Sequence, residues 1–411
     1  MNFIMPDCGE KIMLKNGNNN YFKINFSVCA MFIMIFSQVL NTAKCGTGIG
    51  DIEISYIVAM LLTLLQLMNQ KRLQIDFTDI LLVSLWMIIA IISTLVSNVV
   101  KWNVNGYSLL ACMSFYILVT NTSIKSRDIH ILFRIYSVIV FLISLLILYM
   151  HYNSSISVYG DRYTITILGV SKDPNFLSAF MVPCFIYTCY SYIFNPNVSK
   201  LRGYLLSPLL FIVFIAIFYT GSRAAMLSII ATMLLIFISK MFSGKKDKIG
   251  TIFIFVVLMI VLATVVNILL IGSPLYERMF LIDSYSSNIR LLIWHDAIKA
   301  FLNNPIIGEG HLSGSYYVSL GIKGKWFGTH NCFLDIITGT GILGGIILLS
   351  IFKSMMDVKE ENKVFLLSFI VSSFIPLFFI NGYDSMSFWL PMILCKMISN
   401  CCKNKIYYEL L

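Results

Sequence analysis

The sequence predicts an all-α polytopic membrane protein with about twelve transmembrane helices and one large extracytoplasmic loop. Two observations carry this. Of 411 residues, 58% are hydrophobic and only 12% charged, with mean hydropathy +0.83, a balance incompatible with a water-soluble core of this length. The apolar residues also gather into windows of about 17–24, the length that crosses roughly 30 Å of hydrocarbon.

In chain order the windows are 22–41, 52–68, 77–100, 105–121, 129–150, 176–194, 203–219, 224–242 and 249–271. After a loop spanning 272–331 they resume as 332–353, 363–381 and 385–400. The fourth, seventh and last are short. The segment before the first window, polar around Asn16 and Asn20, lacks the apolar core of a cleavable signal, so the first span is expected to stay as an anchor. Arg134, about a turn inside the fifth span, is expected to snorkel to the cytoplasmic surface. The expected organisation is a cytoplasmic segment 1–21, a single membrane domain 22–400 with the loop between its ninth and tenth spans, and a cytoplasmic tail 401–411. Ten cysteines imply no disulfide framework, because Cys29, Cys112, Cys184, Cys189 and Cys395 fall inside spans, where Cys is a small apolar residue.

Positive residues are retained on the cytoplasmic side, which sets the orientation. With the N-terminus inside, nineteen of the thirty lysines and arginines are cytoplasmic, among them Lys71, Arg72, Lys125, Arg127, Lys245, Lys246 and Lys396. Ten lie outside, five of them (Arg278, Arg290, Lys299, Lys323 and Lys325) in the long loop. Both termini are thus expected in the cytoplasm. The net charge of +10 is scattered over short turns rather than gathered in a patch, which points to topology and anionic headgroups and not to nucleic acid. The joint 195–202 is short, no internal repeat is visible and intramembrane charges are few, which weighs against a two-bundle transporter.

Four patterns stand out. Arg162-Tyr-Thr is followed by Asp173-Pro-Asn175 leading into the sixth span, and Thr220-Gly-Ser-Arg223-Ala-Ala joins the seventh and eighth. In the long loop, Arg290, Trp294, Ala297 and Phe301 recur at helical spacing, and Asn304-Pro305-Ile-Ile-Gly308-Glu-Gly310 ends that helix. Finally His330-Asn331 is followed, after nine intervening residues, by Gly341-Ile-Leu-Gly344. In this order the patterns resemble the O-antigen ligase and Wzy-type polysaccharide polymerase superfamily over roughly residues 155–350. The resemblance implies a GT-C-like membrane glycosyltransferase.

Each position also has a plainer reading. The Arg290 helix could be a surface helix with a solvated Arg, and Arg223 an interfacial Arg bonded to headgroups. The resemblance instead implies that Arg223 and Arg290 hold a lipid diphosphate, which the guanidinium fork grips in bidentate fashion. Arg162, Lys172 and Asn175 are further candidates for substrate binding, with Trp294 and Asn331. His330 is the candidate acid or base, since imidazole exchanges a proton near neutral pH. Asp335, one helical turn beyond Asn331, could orient His330, while His295 and His311 are reserves. Gly341 and Gly345 form a small-residue pair that would let another helix pack closely. Tyr316, Tyr317, Trp326 and Phe327 offer faces for sugar rings or form an interfacial belt. No metal-ligand spacing such as H-E-x-x-H occurs, and no metal or other cofactor is assigned.

The resemblance implies a glycan donor on undecaprenyl diphosphate, a glycan acceptor, membrane lipid around the chain, and a flippase and chain-length regulator as partners. The expected reaction is polymerisation of the lipid-linked repeat units, for O-antigen or for capsular or exopolysaccharide, on the outer face of the bacterial cytoplasmic membrane. Ligase-type transfer of a preformed chain is the nearest alternative. A transporter or flippase and an envelope assembly protein are the rivals from other classes.

Overall fold

An apolar segment in lipid must satisfy each backbone N–H and C=O internally, and helix does so within one stretch of chain. The computed structural model describes residues 25–39, 44–47, 50–70, 75–102, 104–153, 162–167, 170–193, 200–242, 264, 284–321 and 328–408. Among these the helices are α1 (Phe26–Val39), α2 (Ile54–Asn69), α3 (Phe77–Val96), α4 (Val104–Thr120), α5 (Ser126–Tyr152) and α6 (Pro174–Thr188, continued by a π-helical turn Cys189–Ile193). They continue as α7 (Lys200–Tyr219), α8 (Arg223–Phe242), α9 (Ser284–Asn303), α10 (Ser313–Gly321), α11 (Cys332–Met355), α12 (Glu360–Phe374) and α13 (Met386–Tyr408). Phe77–Val96, Ser126–Tyr152, Cys332–Met355 and Asn362–Phe379 are long and apolar enough to cross a membrane, and shorter apolar helices accompany them. The chain is a largely helical membrane protein. The ninth apolar window, 249–271, lies outside the described residues except for position 264, as do Lys323, Lys325, Trp326 and Phe327.

Two hairpins depart from the all-helical expectation: β1 (Lys44–Thr47) pairs antiparallel with β2 (Gly50–Glu53), and β3 (Thr166–Ile167) with β4 (Val170–Ser171). Both lie in loops between helices, where the backbone pairs across a turn.

Polar contacts collect at two ends of the bundle. At one end Asp76 N–H donates to Asn121 at 2.8 Å, Ser123 N–H to Gln70 at 3.2 Å, and Asn400 to the Thr120 carbonyl at 3.0 Å. The other end joins the α5–α6 loop to the α7–α8 turn through Tyr163 N–H and the Tyr219 carbonyl, 3.1 Å. Between the ends lies an aromatic core. Trp86 of α3 packs on Trp389 of α13 at 5.5 Å between ring centroids, and Trp389 on Tyr116 of α4 at 5.7 Å, contacts that exceed simple area burial by about 0.5–1.5 kcal/mol each.

Lys396, counted above with the cytoplasmic cations, is instead fully buried in α13. Its ammonium lies 2.8 Å from carboxylate oxygens of both Asp76 and Asp79, and donates to Ser354 at 3.1 Å. Asp79, also buried, accepts from Tyr116 and Ser354, each at 2.8 Å. One cation thereby ties α3, α4, α11 and α13 together. Deleting one partner of a buried pair leaves an uncompensated charge, at a cost of about 3–5 kcal/mol. Lys396→Met should therefore lower the thermal unfolding midpoint in detergent sharply, and adding Asp79→Asn should recover much of the loss. A single variant as stable as the wild type would sink the account.

Candidate functional site

The feature that builds the site is a break in α11. Gly341 has φ 64° and ψ −165°, so the helix is interrupted there. In an unbroken helix Ile342 N–H would donate to the Thr338 carbonyl and Leu343 N–H to that of Gly339. Here Ile342 N–H donates to the Pro305 carbonyl at 2.8 Å and Leu343 N–H to the Ile306 carbonyl at 3.2 Å. The released acceptors are also served. Thr338 O receives Glu309 N–H at 2.9 Å and the Ser313 hydroxyl at 3.1 Å, and Gly339 O receives the Ser93 hydroxyl at 2.8 Å. The turn that follows α9 is thus seated in the gap.

Only glycine fits these places. A Cβ on Gly341 would stand 2.2 Å from the Ile306 carbonyl oxygen, and one on Gly308 (φ 81°) 2.4 Å from the Gly339 backbone. The expected close packing at Gly341 and Gly345 is corrected on this point. Gly341 meets a loop rather than a helix, Gly344 faces Trp86 of α3, and a Cβ on Gly345 would meet only Ile337 of its own helix.

Docking of the turn presses α9 against the start of α11. Ile293 and Ala297 of α9 are buried with Val318 of α10 and Leu334 of α11, and Trp294 packs on this cluster. The Trp294 indole N–H donates to the Thr329 carbonyl at 3.2 Å. Thr329 is fully buried, and its hydroxyl donates to Asp335 at 2.6 Å. Asp335 also accepts from Gly382 N–H at 3.4 Å. Asn331 caps α11, its side-chain oxygen accepting from Phe333 N–H at 3.0 Å and Leu334 N–H at 3.1 Å. Its neighbour His330 has φ 52°, a left-handed conformation uncommon outside glycine. Trp294, Thr329, Asn331 and Asp335 therefore fix the backbone on both sides of His330.

The electrostatics follow from this placement. Burial is the main cause that pushes the His330 imidazole below its usual pKa of 6.5; the Arg290 guanidinium lowers it further, while Asp173 pulls it up. Arg290 also lies over the Phe379 ring, 5.6 Å from its centre, which holds the cation against an aromatic face. The α6 N-terminus contributes Asp173, whose carboxylate caps the helix by accepting Asn175 N–H at 2.7 Å.

The first two sequence patterns meet at Arg162. Its side chain is buried, donating to the Thr220 carbonyl at 2.9 Å and to the Asn175 side-chain oxygen at 2.7 Å. Arg223 follows on the same turn as the first residue of α8 and is exposed. Lys172 stands on the wall of a separate cleft beside α6.

Residues 208–349 match the O-antigen ligase family model. Neither a curated protein nor a solved structure matches the chain. The matched segment runs from within α7 into α11 and contains Arg223, Arg290, Trp294, His330, Asn331, Asp335 and the Gly341 break. It supports the reading of a polysaccharide-handling membrane protein. Arg162, Lys172 and Asn175 precede it.

A third polar group at this end is built on His311, which sequence reasoning held only as a reserve and without its partners Tyr383 and Asp384. His311 is buried, its backbone N–H bonded to Thr94 at 2.9 Å, one ring nitrogen 3.0 Å from the Tyr383 hydroxyl and the other 3.5 Å from Asp384. The signal available was Asn381-Gly-Tyr-Asp384, a polar turn between two apolar spans on the side of the long loop.

Because Asn331 spends its oxygen on the α11 cap, Asn331→Ala should cost about 1 kcal/mol of stability, and Asn331→Asp, which keeps the cap, should cost little. Thermal melts of the two variants check this. Equal losses would separate the residue from capping.

Proposed function

We propose that the chain is a lipid-diphosphate-dependent glycosyltransferase that polymerises undecaprenyl-diphosphate-linked repeat units on the outer face of the cytoplasmic membrane. The observation that carries the reading is a half-buried His330, depressed in pKa, beside the Arg290 guanidinium and within the matched segment. A neutral imidazole can accept a proton. In the proposed step a hydroxyl oxygen of the acceptor sugar attacks the donor's anomeric carbon and gives its proton to His330. The bond from that carbon to the diphosphate oxygen breaks, and Arg290 with Arg223 stabilises the charge left on the diphosphate. A single displacement inverts the anomeric carbon.

The membrane plan belongs to the same proposal: twelve spans in one domain 22–400, cytoplasmic termini, and the loop 272–331 outside. Cys placed at Lys299 should then react with an impermeant thiol reagent added to intact cells, and Cys at Asp357, on the α11–α12 turn, should not. The reverse pattern would overturn the orientation.

The family description, O-antigen ligase, favours transfer of a preformed chain as the second reading. Purified protein given only undecaprenyl-diphosphate repeat units should make a ladder stepping by one repeat. No ladder, but transfer of a preformed chain to a separate acceptor, would establish the ligase reading; lipid movement without any transfer would leave a flippase. Arg223→Ala, Arg290→Ala and His330→Ala should each abolish transfer at normal membrane abundance, with Lys rescuing the arginines poorly because it lacks the planar fork. Near-normal rates in the Arg290 and His330 variants would refute the site.

The pH profile tests the base directly. A histidine with a lowered pKa stays neutral further into acid, so the acidic limb of the rate profile should lie below 6.5, the usual histidine value. Asp173→Asn keeps a capping oxygen yet removes the charge that raises the His330 pKa, so the limb should move to still lower pH. A limb unmoved by that change would mean another group controls it.

A further inference from the structure

The first turns of α11, which follow His330 and carry Asp335, are cut from the rest of the helix by the break at Gly341. The far half of α11 therefore does not fix where they stand, and neighbours must. Besides the seated turn, they lean on the segment between α12 and α13. Gly382 N–H donates to one Asp335 oxygen at 3.4 Å, while the Thr329 hydroxyl donates to the other at 2.6 Å. A Cβ on Gly339 would stand 2.8 Å from the Tyr383 hydroxyl, so that hydroxyl lies directly against the helix. The segment is itself anchored, because the Trp389 indole donates to the Tyr383 carbonyl at 2.7 Å and Trp389 belongs to the aromatic core.

His311 closes the arrangement. Its Nδ1 lies 3.0 Å from the Tyr383 hydroxyl, and its buried Nε2 finds no hydrogen bond but lies 3.5 Å from an Asp384 carboxylate oxygen. A proton on Nε2, facing the carboxylate, leaves Nδ1 to accept from the hydroxyl. The His311 backbone N–H donates to Thr94 of α3 at 2.9 Å, so the ring is held from three parts of the chain. Among the described residues Leu312 (φ 66°) and His330 (φ 52°) are the two non-glycine residues at positive φ. One adjoins His311 and the other is the candidate base. Strain of this kind persists only where the surroundings impose it, and it gathers at functional sites.

We propose that His311 is a positioning residue for the transfer reaction: through Tyr383 and the Gly382, Asp335 and Thr329 contacts it fixes where the His330 imidazole stands. The proposal rests on the glycosyltransferase reading above for its reaction, and adds a residue that reaches the base without touching substrate. The two imidazoles face different charges. His330 feels Arg290 of α9 and Asp173 of the α6 cap, whereas His311 faces Asp384 and the Tyr383 hydroxyl. A group that merely braced the fold would leave the His330 pKa alone in every molecule that remained folded. A positioning group would not. Burial and Arg290, the two larger causes of the lowered value, both depend on where the ring stands, so loosening it returns the pKa upward toward 6.5.

Tyr383→Phe tests this with the loss of one hydroxyl and no loss of ring packing. In full-length protein carrying isotopically labelled histidine, the His330 resonance is assigned by its disappearance in His330→Gln and titrated by NMR, a readout that needs no turnover. Its midpoint should move up toward 6.5 in Tyr383→Phe, and the acidic limb of the rate profile should move with it. Transfer should fall about ten- to a hundredfold in kcat with KM for the lipid-linked donor held within about twofold, the split expected of a misplaced group. His311→Asn, whose amide reaches the place of Nδ1, should keep more activity than His311→Ala. Adding Tyr383→Phe to His311→Ala should cost nothing further, because both act through one contact. A His330 midpoint unmoved in folded Tyr383→Phe protein would overturn the proposal, as would additive losses in the double variant. A moved midpoint in protein that transfers no glycan would instead uphold the link from His311 to His330 and bring down the glycosyltransferase reading.

Discussion

The site depends on one constraint: four backbone groups freed by the break at Gly341 must find partners in a place where water is scarce. An unsatisfied N–H or C=O in hydrocarbon costs several kcal/mol, so the break exists only because the Pro305–Glu309 turn and the Ser93 hydroxyl satisfy it. The exchange is reciprocal. The turn lends its carbonyls to Ile342 and Leu343, and α11 lends the Thr338 carbonyl to Glu309. That couples the third and fourth sequence patterns: one supplies the turn, the other the gap. Arg290 is then fixed relative to His330 because α9 cannot shift without unseating the turn that follows it.

The far end of α11 is held by different means. In lipid the hydrophobic effect does not draw helices together, so packing and polar contacts must do so. Trp86 and Trp389 supply the packing, and Ser354 of α11 belongs to the buried Lys396 centre. α11 is pinned at both ends, by a seated loop and by an ion cluster. Such a helix can present His330 in a left-handed conformation, a strained choice that surrounding structure must impose.

What was legible in the sequence followed simple periodicities. The long apolar helices were visible because hydrocarbon thickness sets their length, and the α9 stripe because Arg290, Trp294, Ala297 and Phe301 keep helical spacing; α9 ends at Asn303, just before the Asn304-Pro305 stop. The segment that ends the helix turns at Gly308 and Gly310, both at positive φ. The break at Gly341 was not legible, since a glycine in an apolar run reads as a packing residue until its partner loop is known. Lys396 was misassigned for a related reason. The charge rule counts cations by position along the chain, whereas its partners Asp76 and Asp79 lie more than 300 residues away. The His311, Tyr383 and Asp384 group joins residues from the long loop and from a turn after it, a contact that no local pattern encodes.

The pairing of Arg290 with His330 divides labour by proton affinity. Two cations cannot share a half-buried place without cost, and Arg keeps its proton in proteins. Histidine gives its proton up. Burial and the charge of the Arg290 guanidinium therefore both press toward a neutral imidazole within the field of a permanent positive charge, one able to take a proton and the other able to receive an anion. Asp173 opposes this, pulling the His330 pKa back up. Arg162 supports the arrangement from behind: by joining Thr220 to Asn175 it ties the turn that starts α8 at Arg223 to the cap where Asp173 sits. The charges of the site are thus set by segments from separate parts of the chain, held together by the Arg162 contacts, the α6 cap and the turn seated in the α11 break.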